Sequence, residues 1–243
     1  MFTLPNMITL ANLACGCAAI VFTLRVPGNL AWAFWFIAVA AVLDFLDGFV
    51  ARLTGQYSAI GVQLDSLADM VSFGVAPAAV LFVMYRDSLA MWNPGPFLAA
   101  WPGWIVFAVA LFSALRLAKF NIDDTQKEEF VGLPVPANAL MIASLGWLTY
   151  NGNLEVGREI ILAFSLFAGW LLICPVRMFS LKFKGFGWAG NELRYIFLLC
   201  CAALVALLGI GGVAASMGLY IVVSTVRYFM RPRGGEPAGA EEK

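Results

Sequence analysis

Residues Leu43–Gly74 read LDFLDGFVARLTGQYSAIGVQLDSLADMVSFG and set four acids, Asp44, Asp47, Asp65 and Asp69, among mostly apolar neighbours. Asp44, Asp47, Gly48 and Ala51 stand at i, i+3, i+4 and i+7, while Gly61, Asp65 and Asp69 stand at i, i+4 and i+8. At helical pitch each set shares one face of its own helix. The link LTGQYSAI is short enough to make the two helices antiparallel neighbours, so both acidic faces are expected to open into one cleft.

The surroundings of these acids define the class of fold. The chain has 243 residues, of which 62% are hydrophobic and 12% charged, and its mean hydropathy is +0.85. Soluble domains are only about half apolar. An all-α, polytopic membrane bundle is therefore expected. Stretches long enough to cross a bilayer, each needing about 17 to 25 apolar residues, run over 4–25, 30–53, 60–85, 97–119, 133–150, 157–176, 193–210 and 213–230. That gives eight spans, with Gly211 and Gly212 dividing the last two.

Eight spans place Arg52, Arg116, Lys119, Lys127, Arg177, Lys182, Lys184, Arg194, Arg227, Arg231, Arg233 and Lys243 on one side, and Arg25, Arg86 and Arg158 on the other. Positive charge accumulates on the cytoplasmic side. Both termini and the acidic cleft are accordingly expected at the cytoplasmic face of the cytoplasmic membrane. No Lys or Arg precedes the first apolar run, which argues for a retained first helix over a cleaved leader. One domain is expected over 1–230, followed by a disordered Gly-, Pro- and Glu-rich tail over 231–243. The segment Asn121–Phe130 reads as a solvated loop. Five cysteines, all in apolar stretches, read as packed thiols. No nucleic-acid partner is expected.

Acids in membrane helices are costly, about 2.5 to 3.5 kcal/mol each at mid-bilayer, and like charges at helical spacing repel. Arg52 is the only basic residue between Asp44 and Asp69, so side chains of this region cannot neutralise the cluster. Divalent cations can. The chain has no histidine and the cluster no thiolate, which leaves hard, oxygen-liking ions such as Mg²⁺ or Mn²⁺. Four carboxylates suit two such ions about 3.5 to 4 Å apart, an arrangement used in phosphoryl transfer. The missing histidine also removes the commonest general base. Gly48, Ala51 and Gly61 fit either ligand access or close helix packing.

The pattern D-x2-D-G-x2-A-R-x8-G-x3-D-x3-D is met in full by Asp44, Asp47, Gly48, Ala51, Arg52, Gly61, Asp65 and Asp69. In this the chain resembles the CDP-alcohol phosphotransferases. The resemblance implies a helical membrane enzyme, usually a homodimer, that moves a substituted phosphate from a CDP-linked donor to an alcohol and releases CMP. It implies that Asp44, Asp47 and Asp65 hold two divalent cations, and that Asp69 helps bind metal and serves as the catalytic base. Gly48, Ala51, Arg52 and Gly61 would line the CDP site, with Asn6 and Thr9 contacting nucleotide. LPNMITLANLACG from Leu4, DSLADMVSFGVAPA from Asp65, ALRLAKFN from Ala114 and GLPVPA from Gly132 are similar to the branch acting on serine in bacteria and archaea. The substrates implied are CDP-diacylglycerol and L-serine, within membrane lipid.

Outside the signature, Arg116, Lys119 and Asn121 could hold the lipid phosphate or the serine carboxylate, or the two bases could anchor a helix end. Lys182, Lys184 and Arg194 fit attraction to anionic headgroups. Asn6 and Thr9 are polar residues near a helix start, which are more often caps. Two alternatives remain at this stage: a sibling transferase using glycerol-3-phosphate, inositol phosphate, choline or an ether-lipid donor, and a divalent-cation transporter whose acids bind metal in transit.

Overall fold

The computed structural model describes residues 3–25, 27–56, 58–88, 101–122, 130–178, 187 and 191–230. The expectations for the 231–243 tail, for Lys127, Lys182 and Lys184, and for most of the Asn121–Phe130 loop lie outside the described residues.

Local chemistry sets the helix ends. Helix α1 (Leu4–Leu24) opens on Pro5 in its first turn, where a missing N–H leaves no hydrogen bond unmade. Helix α2 (Leu30–Thr54) is capped by Asn29, whose side chain accepts from Trp32 N–H at 3.1 Å, and stops at Gly55 with φ +65°. Helix α3 (Ala59–Asp69) is capped by Ser58 Oγ, which accepts from Gly61 N–H at 2.9 Å. The rod then widens into a π-type turn over Met70–Val75 and continues as α4 (Ala76–Asp87). Here Ala76 N–H reaches Val71 O, five residues back. Pro77 follows and has no N–H to continue the ordinary ladder.

A tight 3₁₀ stretch at Trp101–Phe107 leads into α5 (Ala108–Ile122). Strand β1 (Phe130–Val131) pairs antiparallel with β2 (Arg177–Met178), Phe130 opposite Met178. Between them lie α6 (Val135–Tyr150) and α7 (Arg158–Ile173), and α8 (Glu192–Leu208) and α9 (Gly211–Met230) follow. At Gly132 φ is +78° and a Cβ would strike Leu172 O. A glycine there lets its N–H bond Val176 O at 2.9 Å while Leu133 N–H bonds Leu171 O at 2.8 Å.

Two expectations change, and the span count is met only in part among the described residues. Five helical stretches among the described residues are long and apolar enough to cross a membrane: Leu4–Leu24, Leu30–Thr54, Ala59–Asp87, Gly103–Ile122 and Gly211–Met230. Helices α6, α7 and α8 have 16, 16 and 17 residues, about 24 to 26 Å at 1.5 Å per residue, against a hydrocarbon core of about 30 Å. The break before the last helix falls at Gly209 and Ile210, with Gly211 and Gly212 already inside α9. Gly209 takes φ +58° and ψ −134°, a conformation that side-chain-bearing residues avoid. Finally, α2 and α3 are not close-packed neighbours. Helix α1 packs against both, and the two acid-bearing helices face each other across a gap.

The interior is a continuous apolar cluster that includes Phe34, Ile37, Phe73, Leu81, Val109 and Ile142. Large apolar side chains such as Trp35, Phe45, Leu111, Leu199 and Phe229 lie exposed on the periphery. That inversion of the soluble pattern suits a surface solvated by lipid. The five cysteines are free.

Candidate functional site

Helix α1 carries no charge between Leu4 and Leu24, yet its buried face is polar and small: Pro5, Asn6, Thr9, Asn12, Gly16, Ala19 and Thr23 recur every three or four residues. It turns that face toward α2 and α3. Gly16 brings the helix so close to the π-type turn that a Cβ there would collide with Ser72, and Ser72 Oγ donates to Asn12 O at 3.0 Å. The widened turn and the small face together seat α1 against both acid-bearing helices.

Asp44, Asp47 and Asp65 each bring one carboxylate oxygen to within 4.8 Å of the others. Asp47 is buried, and Asp44 and Asp65 are half-buried. Thr9 Oγ1 lies 2.6 Å from Asp47 Oδ2 and donates to it. None of the four carboxylates is paired with a lysine or arginine among the described residues, and Asp65 Oδ1 is buried without a hydrogen-bond partner. Three converging hard oxygens, one of them unsatisfied, are a donor set that fits a divalent cation.

Asp69 stands one turn further along, outside this trio, buried where α3 meets the π-type turn. Asn12 Nδ2 donates to its Oδ1 at 3.3 Å. Four residues of helical rise, about 6 Å, separate it from Asp65. The fourth acid therefore stands apart from the trio while staying within electrostatic reach of all three.

Beside the trio lies a cleft of about 710 Å³ whose lining includes Asn6, Thr9, Asp47, Gly48, Ala51, Arg52, Gln56, Ser58, Gly61 and Asp65. Every residue expected near the nucleotide meets here. Thr9 does not cap a helix; it touches an acid. A Cβ added at Gly48 would meet nothing within 4 Å among the described residues, so Gly48 serves open space and not helix packing. At Gly61 an added Cβ would come to 3.0 Å from Asn6 Oδ1 and Ser58 Oγ. Arg52 is exposed at the rim.

The outer candidates separate. Lys119 is exposed. Asn121 Nδ2 donates to Ser66 Oγ at 2.8 Å, tying the end of α5 to α3. Arg116 instead turns inward, within electrostatic reach of Asp69, Tyr220 and Cys174. Arg194 Nη1 donates to Asn191 Oδ1 at 2.9 Å near the start of α8. Sequence reasoning missed Asn12, Ser72 and Tyr220, although the three- and four-residue polar recurrence along α1 and α9 carried a signal.

A helical membrane protein with an acidic cluster fit for a divalent cation, set beside a polar cleft, is the class that fold and site define. The sequence profile of the CDP-alcohol phosphatidyltransferase family matches residues 2–175, and the chain belongs to that family. It is 30% identical over 236 residues to a protein of Helicobacter pylori strain 26695 named CDP-diacylglycerol–serine O-phosphatidyltransferase, covering 94% of this chain and 92% of the relative. Proteins of the same name from Methanocaldococcus jannaschii (37% over 142 residues, 58% of this chain and 59% of the relative) and Bacillus subtilis strain 168 (36% over 148, 61% and 77%) are similar over the first part. Of the two classes left open by sequence, transferase and transporter, family membership selects the transferase.

Proposed function

We propose that this chain transfers the phosphatidyl group of CDP-diacylglycerol to the hydroxyl of L-serine, giving phosphatidylserine and CMP. The carrying observation is the convergence of Asp44, Asp47 and Asp65 to within 4.8 Å at the edge of a cleft whose lining joins Asn6, Thr9, Gly48, Ala51, Arg52 and Gly61. The names of the relatives supply the donor and acceptor.

In this reading Asp44, Asp47 and Asp65 hold two divalent cations, Mg²⁺ or Mn²⁺, with Asp69 nearby. When bound, these would neutralise the diphosphate and the charge developing on the leaving phosphate. The cleft takes the cytidine and its phosphates, Gly48 leaving room beside α2 and Arg52 facing the anion at the rim. Asp69 accepts the proton of the serine hydroxyl, and Asn12, bonded to its Oδ1, fixes the orientation of that carboxylate. The serine oxygen forms a bond to the phosphorus bearing the lipid; the bond from that phosphorus to the CMP oxygen breaks. Arg116 holds the serine carboxylate or the lipid phosphate, with Lys119 and Asn121 nearer the surface.

The catalytic unit extends over 1–230, crosses the cytoplasmic membrane eight times with termini and site on the cytoplasmic side, and works as a homodimer. Positive charge on the side holding Arg52 and Arg116 supports that orientation. The deciding experiment supplies purified protein with CDP-diacylglycerol, Mg²⁺ or Mn²⁺ and single alcohols. Serine-dependent CMP release is expected. Release with glycerol-3-phosphate but not serine would overturn the acceptor.

A further inference from the structure

Arg116 lies within electrostatic reach of the catalytic acid Asp69, and its bonding is incomplete. Its Nε is buried with no hydrogen-bond partner among the described residues. Asp69 lies within electrostatic reach but forms no ion pair with it among the described residues. The guanidinium offers five donors in a rigid fork, and its Nε edge matches a carboxylate in two parallel bonds. A half-buried fork whose buried Nε finds no partner, with Asp69 not paired to it among the described residues, points to an acid arriving with a ligand.

Tyr220, like Cys174, also lies within electrostatic reach of Arg116. It lies on α9, beyond the residues matched by the family profile. Along α9 the inward face reads Gly212, Ser216, Tyr220 and Ser224, one per turn, all buried. Ser216 Oγ has no hydrogen-bond partner among the described residues. The ring of Tyr220 packs on Phe197 with centroids 5.8 Å apart and joins Leu133, Met141, Cys174 and Met178 in a second apolar cluster. On α6, Asn138 stands one turn before Met141; it is fully buried, and neither its Oδ1 nor its Nδ2 finds a partner among the described residues. Apolar packing anchors the ring, so the phenol oxygen is held within electrostatic reach of the guanidinium.

We propose that Tyr220 and Arg116 together grip the acid group of the acceptor, so that α9 forms the specificity wall of a site whose catalytic acids all come from α2 and α3. Tyr220 is a specificity residue here and takes no part in proton transfer. The inference rests on the acceptor reading above and assigns Arg116 to the acceptor over the lipid phosphate.

The test compares wild type with Tyr220→Phe, which keeps the ring contact with Phe197 and removes only the hydroxyl. Each protein is assayed with L-serine and with serinol, which keeps the hydroxyl and amine but lacks the carboxylate. A hydrogen bond to a charged group implies a loss of about tenfold or more in kcat/KM. That loss is expected for serine, carried by KM, with serinol turnover and the KM for CDP-diacylglycerol unchanged. Turnover of serinol doubles as the check on folding. Equal losses on both alcohols, or none on serine, would overturn the proposal. Should wild type use a different acid-bearing alcohol, the serine reading falls while the same comparison, made with that alcohol and its analogue lacking the acid, still decides the role of Tyr220. An acceptor with no acid group would sink both.

Discussion

Thr9 on α1 donates to Asp47 Oδ2 on α2 at 2.6 Å, across a sequence separation of 38 residues. Thr9 Oγ1 also lies 3.1 Å from Pro5 O, but a hydroxyl has one proton. The shorter contact to the charged acceptor takes it. Helix α1 therefore orients an acid that it does not itself carry. Thr9→Val keeps the shape and removes the donor, and should weaken Mn²⁺ affinity about tenfold, the lower range for a bond to a charged group. Thr9→Ser should restore most of it. Titration calorimetry of the three proteins measures this; unchanged affinity in the valine variant would mean that the hydroxyl does not orient Asp47.

The different settings of Asp47 and Asp69 predict different failures on amidation. Asp47→Asn removes an oxygen from the trio and should weaken both cation binding and CMP release. Asp69→Asn leaves the trio intact and should spare most cation binding, yet cut turnover by about a hundredfold or more, the range of general-base contributions. Near wild-type CMP release from the Asp69 variant would end its role as base.

Cation dependence follows from the same trio. Dialysis against a chelator should abolish CMP release, and Mg²⁺ or Mn²⁺ should restore it, because no lysine or arginine among the described residues offsets these carboxylates. A folding readout taken alongside should change little, since the apolar cluster around Phe73 and Ile142 does not depend on the acids. Full activity after chelation would rule out the cation-dependent mechanism.

The acids were legible because carboxylates stand out in apolar helices and their three- and four-residue spacing assigns each to a face. Their convergence was legible too, but its route was not. A short link between α2 and α3 sets the direction of the chain, not which helix lies alongside, and α1, with no charge to draw notice, packs against both. Thr9 and Asn6 are residue types that also cap helices, so sequence alone could not separate the two uses. Tyr220 was hidden more deeply. An isolated tyrosine in an apolar helix reads as part of an interfacial belt, and only folding brings it beside Arg116, more than a hundred residues earlier in the sequence. Gly211 and Gly212 looked like the turn because both are glycines, whereas the positive φ falls at Gly209.

Two glycines on neighbouring helices should respond to alanine with opposite signs. At Gly16 a Cβ would run into the Ser72 side chain and backbone, where nothing flexible can yield. Gly16→Ala should lower stability by about 1 to 3 kcal/mol, as overpacking does, and loosen the seat of Asn12 beside Asp69. At Gly48 a Cβ would meet nothing within 4 Å among the described residues, and alanine is the better helix former by about 0.5 to 1 kcal/mol. Gly48→Ala should therefore leave the thermal midpoint unchanged or raised, while the KM for CDP-diacylglycerol rises because the methyl enters the cleft. Thermal unfolding in detergent and donor titrations on both variants separate the effects. A lowered midpoint in Gly48→Ala, with donor affinity intact, would return this glycine to a packing role.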